Sequence, residues 1–220
     1  MRRVLDIITE QRVIAIARCV PRQEIENLAR AIGEGGLSCI EVTFDHSGDE
    51  GIKNTLESIR ALKTRFGDSM AIGAGTVLSE DEVDMAADAG AEYIISPDTV
   101  PEVIKRTRSL NLISIPGAMT PSEIHRAYDL GANLVKLFPA SCLGTAYIKA
   151  VRGPLPHIPL LATGGINPEN IGQYLAAGAL GAGVGGNLVS LKLIQQGRFD
   201  EITRTAEAYA RAVAEALRAQ

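Results

Sequence analysis

Two ionisable residues interrupt runs that are otherwise apolar. Lys136 sits within Asn133-Leu134-Val135-Lys136-Leu137-Phe138-Pro139, which reads as a buried parallel strand, and Glu41 within Cys39-Ile40-Glu41-Val42-Thr43-Phe44. A buried ammonium without a partner is costly enough that the amine tends to shed its proton instead. A neutral, desolvated lysine amine is a nucleophile, and its characteristic use is to condense with a ketone and form an iminium. A carboxyl group beside it can carry the protons that condensation moves. Two plainer readings stay open: a lysine that snorkels to water from an edge strand, or a Glu41–Lys136 ion pair that only closes the core.

These residues need a scaffold, and the chain supplies one by alternation. Short β-branched runs recur, each followed by a polar turn and a segment of helical period. The strands expected are Val13–Arg18, Ser38–Thr43, Met70–Gly75, Glu92–Ser96, Leu112–Pro116, Asn133–Phe138, Ile158–Thr163 and Gly181–Gly185. Between them the period predicts helices such as Pro21–Gly33, Asp49–Arg65, Ser79–Ala89, Val100–Leu110, Thr120–Leu130 and Pro168–Ala177. Ser79-Glu80-Asp81-Glu82 and Thr120-Pro121-Ser122-Glu123 place a hydroxyl at a helix start with Glu three residues on. Glu34-Gly35-Gly36, Ala89-Gly90-Ala91, Leu130-Gly131-Ala132 and Ala177-Gly178-Ala179 offer glycine where a helix ends. Eight such units make an α/β protein of the (β/α)₈ TIM-barrel class. The alternative, an open doubly wound sheet, would want a Gly-rich turn after the first strand, and Arg18-Cys19-Val20-Pro21 is not one. No Ser/Gly/Pro-rich linker divides the 220 residues, so residues 1–220 read as a single barrel domain.

Barrel chemistry gathers at the C-terminal ends of strands. There the sequence collects Arg18, Glu41 with Thr43, Gly75-Thr76, Ser96-Pro97, Lys136, and Thr163-Gly164-Gly165. Gly183-Val184-Gly185-Gly186 follows the last strand, where barrels often hold phosphate on backbone N–H groups, with a helix expected to start near Asn187. The stripe Ile202, Ala206, Tyr209, Ala210, Val213 and Leu217 completes the barrel or, alternatively, offers a partner-binding helix.

The totals exclude several classes. Hydrophobic residues make up 46% but aromatic ones only 4%, the aliphatic filling of a parallel sheet. A net charge of −4, scattered along the chain, gives nucleic acid no basic face. No stretch approaches the roughly 18 apolar residues of a membrane span, and Asp6-Ile7-Ile8-Thr9-Glu10 breaks any signal-peptide core, so a cytoplasmic protein is expected. Cys19, Cys39 and Cys142 are too few and too far apart for a disulfide framework or zinc site, and each reads as a small buried hydrophobe.

In register, Glu41-Val42-Thr43, Gly73-Ala74-Gly75-Thr76-Val77, Ser96-Pro97, Pro116-Gly117, Lys136-Leu137-Phe138-Pro139-Ala140 and Thr163-Gly164-Gly165-Ile166 resemble the class I aldolases that act on 2-keto-3-deoxy-6-phosphogluconate (KDPG) and 4-hydroxy-2-oxoglutarate (KHG). The likeness runs from about Val13 to Val189. It implies a (β/α)₈ barrel, a homotrimer, and cleavage of a keto-acid substrate to pyruvate and an aldehyde without metal or other cofactor. By position it implies that Lys136 forms the Schiff base and Glu41 is the acid/base. Thr76 would hold the pyruvyl carboxylate, Pro97 and Phe138 would wall the pyruvate pocket, and Thr163, Gly164 and Gly165, with Gly185 and Gly186, would meet the distal hydroxyls and phosphate. Two departures stand out. Asp45 replaces an arginine found in many relatives, with Arg18 as its substitute at the rim of strand one, and Gly186 replaces the phosphate-binding serine. Three rival readings are a metal-dependent aldolase built on Asp45 and His46, a phosphosugar isomerase or synthase on the same barrel, and a non-catalytic anion-binding barrel.

Overall fold

The computed structural model describes residues 2–219. Its order is α1 (Arg2–Gln11), β1 (Val13–Ala17), α2 (Ile25–Glu34), β2 (Cys39–Thr43), α3 (Asp49–Phe66), β3 (Ala71–Gly75), α4 (Glu80–Asp88), β4 (Tyr93–Ile95), α5 (Pro101–Ser109), β5 (Ile113–Ile115), β6 (Gly117–Ala118), α6 (Pro121–Asp129), β7 (Val135–Leu137), α7 (Ala140–Arg152), β8 (Leu160–Thr163), α8 (Ile171–Ala176), β9 (Gly181–Val184), α9 (Leu191–Gln195) and α10 (Phe199–Arg218). Every strand pairing is parallel, in the spatial order β5-β4-β3-β2-β1-β9-β8-β7-β6.

The two ends of that order are one run of chain. β5 and β6 are separated only by Pro116, which has no N–H to give a ladder but whose carbonyl accepts from Lys136 N at 2.8 Å. Ser114 O accepts from Asn133 N at 2.9 Å and Ala118 O from Phe138 N at 3.1 Å, so the same segment pairs with β4 on one side and β7 on the other. The sheet therefore closes into the barrel expected from the repeats, and the open-sheet alternative falls.

Both faces of each strand are buried, and the pleat sorts them. Ile14, Cys39, Ala71, Tyr93, Ile113, Leu134 and Leu161 form an inner cluster with Val4 and Ile8 of α1. The intervening residues, Val13, Ala15, Ile40, Ile72, Val135 and Leu160 among them, pack in the shell against the outer helices. α1 thus lies over the N-terminal end of the barrel and fills it. The caps follow the sequence: Thr120 and Glu123 form a complete capping box, and Ser79 Oγ accepts from Glu82 N. Gly36, Gly90, Gly131 and Gly178 take the left-handed φ that ends each preceding helix.

Two expectations need correction. No helix starts at Asn187: Gly185 O accepts from both Leu188 N and Val189 N at 2.8 Å, a tight turn, and α9 begins at Leu191 with Ser190 as its cap. Of the three cysteines only Cys39, on the inner face of β2, is buried. Cys19 lies in the loop after β1 and Cys142 in the first turn of α7, and both are exposed because those segments lie outside the two packed layers. No described helix is long and apolar enough to cross a membrane.

Candidate active site

The inner-face period carries each chemistry-bearing residue to one place. Glu41 is two residues past Cys39, Lys136 two past Leu134 and Thr163 two past Leu161, so all three point into the barrel one layer above the apolar plug. β2 and β7 lie four strands apart in the closed sheet, so Glu41 and Lys136 approach from opposite walls. They are 1% and 5% exposed, and Thr163 is 5%. A cavity of about 590 Å³ opens over Lys136 at the C-terminal strand ends. Arg18, Thr76, Pro97, Lys136, Phe138, Thr163, Gly164, Gly165, Gly185 and Gly186 all line it. Of the residues to which the resemblance gives a role, Glu41 alone does not. Its carboxyl group lies deeper, packed so closely over Gly75 that a Cβ there would stand 2.7 Å from Glu41 Oε1.

Burial sets the electrostatics. Desolvation pushes the Lys136 pKa below the ordinary lysine value; Glu41 partly offsets this, while Arg18 adds to it. Desolvation likewise pushes the Glu41 carboxyl above its ordinary value, against the pull of Lys136 and Arg18. The two shifts run toward a neutral amine and a protonated acid, the forms that add to a carbonyl and release water from the adduct. Glu41 Oε2 and Thr163 Oγ1 are buried without hydrogen-bond partners. Lys136 Nζ lies 5.0 Å from the centre of the Phe138 ring, which forms part of the cavity wall. This is no snorkelling lysine.

At the rim, Arg18 Nη2 donates to Thr76 Oγ1 at 3.3 Å, which sets a guanidinium fork and a hydroxyl side by side as a carboxylate would require. On the far side the Gly164-Gly165 turn is tied down: Ile166 O accepts from Asn187 Nδ2 at 2.8 Å and from the Tyr209 hydroxyl at 2.9 Å, and Gly165 O accepts from Asn170 Nδ2 at 3.0 Å. Gly183 and Val184 of the Gly-rich strand end also line the cavity, as do Ile16, Ile166 and Asn187, to which the sequence assigns no role there. Ile16 was reachable from the period of two after Ile14. Asn187 carried no comparable signal, because its contact is with a loop twenty-one residues away in the chain.

Asp45 and His46, the basis of the metal reading, do not converge. Hydrogen bonds from Ser47, first from its side chain and then from its N at 3.0 Å, hold the Asp45 carboxyl pKa below the usual range. His46 Nε2 pairs with Glu82 at 2.9 Å and its ring stacks on Phe44. Among the described residues no three His, Cys, Asp or Glu side chains come together as a metal site would need.

A buried lysine at the floor of a cavity, with a buried acid beneath it near the C-terminal end of a closed barrel, is the arrangement the motifs implied, and the family model described as KDPG and KHG aldolase matches residues 4–205. The chain belongs to this family. It is an aldolase, a lyase of carbon–carbon bonds. Among its relatives is the 2-dehydro-3-deoxy-6-phosphogalactonate aldolase of Escherichia coli K12, 36% identical over 82% of this chain and 85% of the relative. Another is the 2-dehydro-3-deoxy-phosphogluconate aldolase of Haemophilus influenzae, 32% identical over 92% and 93%. Among solved structures, the KDPG aldolase of Legionella pneumophila superposes with a TM-score of 0.83 at 28% identity, covering 92% of this aldolase and 96% of the other chain. That structure holds pyruvate captured at low pH as a covalent carbinolamine.

Proposed function

We propose that this aldolase cleaves a 2-keto-3-deoxy-4-hydroxy acid to pyruvate and an aldehyde through a Schiff base on Lys136, in a homotrimer of single-domain barrels. The observation that carries the reading is the Lys136 amine, nearly excluded from water and driven toward its neutral form at the floor of the cavity.

Lys136 Nζ attacks the C2 ketone while the substrate carboxylate rests on Arg18 and Thr76. Protonated Glu41 gives its proton to the carbinolamine hydroxyl, which leaves as water and yields the iminium. Glu41, now a carboxylate, takes the proton of the C4 hydroxyl, directly or through water. The C3–C4 bond then breaks, its electrons passing into the iminium to form an enamine, and C4 departs as an aldehyde. Protonation at C3 and hydrolysis return pyruvate and the free amine. Pro97 and Phe138 wall the pyruvyl half, while Thr163, Gly164, Gly165, Gly185 and Gly186 receive the distal chain. The substrates that fit are KDPG, its galactonate epimer and KHG, with glyceraldehyde 3-phosphate or glyoxylate released.

Pyruvate release from each of the three, followed with a lactate dehydrogenase couple, tests the reading. Turnover of at least one substrate, lost in Lys136→Met, is expected. Turnover that survives Lys136→Met overturns it. Light scattering reporting a particle of one chain or two would contradict the trimer.

A further inference from the structure

The N-terminal end of the barrel carries a second charged cleft, of about 300 Å³, lined by Arg12, Arg152, His157, Leu175 of α8 and the residues just before β8 and β9, Pro156 and Pro159 among them. No Asp or Glu lines it, in a chain whose net charge is −4. Arg12 occupies the α1–β1 joint with φ of 59°, a left-handed conformation that Gly or Asn would adopt at less cost. Its Nη1 donates to Leu180 O at 3.1 Å, and its Nε is buried with no partner. Arg152 Nη1 donates to Ile158 O at 2.8 Å. A guanidinium has five N–H donors, so each arginine keeps most of its fork free, and neither is paired with a carboxylate among the described residues.

Two such forks with a histidine at the edge match the oxygens of a tetrahedral anion better than they match each other. We propose that this cleft binds phosphate, free or as the head group of a small phosphate monoester, at the end of the barrel opposite the catalytic cavity. Arg12 and Arg152 hold its oxygens from two sides, and His157 caps the open edge. Their bonds to Leu180 O and Ile158 O set the directions of the forks.

The test pairs a crystal structure of the full chain grown with inorganic phosphate with calorimetric titration of phosphate and of glycerol 3-phosphate in solution. The expected result is density within hydrogen-bond reach of both arginines and a binding isotherm that weakens about tenfold or more in Arg152→Gln, as loss of one charge-assisted contact predicts. Tighter binding of glycerol 3-phosphate than of phosphate identifies a monoester ligand, and the reverse a free ion; either supports the site. Phosphate found only in the catalytic cavity overturns the proposal. So does density in the cleft without an isotherm, which marks an adventitious ion only, or an affinity unchanged in Arg152→Gln. If that variant does not fold, Arg152→Lys, which keeps the charge but loses the fork, must show the same weakening.

Discussion

Lys136 and Glu41 are held by the same force in opposite senses, since desolvation lowers one pKa and raises the other. The neutral amine fraction therefore rises with pH through a value below the 10.5 of an ordinary lysine. Arg18 contributes to that depression, so Arg18→Met should move the acid limb of the pH–rate profile to higher pH. It should also raise KM for the keto acid about tenfold, the loss expected of one charged hydrogen bond. A profile that stays in place after the substitution would show that Arg18 is too well screened to act on Lys136. Glu41→Gln keeps the shape of the buried side chain but cannot exchange protons, and kcat is expected to fall about 10²- to 10⁴-fold with the circular dichroism spectrum unchanged. A loss below tenfold would assign the proton transfers to another group.

At the scale of elements, the strands and most of the outer helices were legible because a period of two buried on both faces, followed by a helical stripe and a capping signal, is written locally. Glu41 and Lys136 were legible for the same reason, as charges in apolar runs. What escaped is what depends on distant partners. α1 carries Val4 and Ile8 one turn apart, but nothing in its sequence says that they fill the floor of a barrel. α7 is interrupted by Gly144 at φ of 72°, which masks its helical period. Gly185 reads equally well as a helix start and as the tight turn it makes. Ile8→Ala should cost about 2–5 kcal/mol in chemical denaturation, as core truncations do, and Thr120→Ala about 1 kcal/mol through the lost cap. Both should leave KM unchanged; a shift in KM with Ile8→Ala would mean that the plug also sets the height of the catalytic layer.

For the whole molecule, a closed barrel that buries the lysine is what makes it reactive, and that burial carries a cost in stability. A lysine whose folded pKa is lowered disfavours folding as pH falls below 10.5, and a carboxyl whose folded pKa is raised does so as pH rises above 4.5. Between those values both penalties act, set against the attraction of the pair. Replacing both groups, in Lys136→Met with Glu41→Gln, should abolish turnover yet leave the barrel as stable as the wild type or up to about 4 kcal/mol more so near neutral pH. A marked loss of stability would mean that the pair serves structure first. The most direct test is to incubate the wild-type protein with pyruvate and borohydride and map the modified peptide by mass spectrometry. Reduction should fix a pyruvyl group on Lys136 alone, and an unmodified Lys136, or label carried on another lysine, would contradict the account.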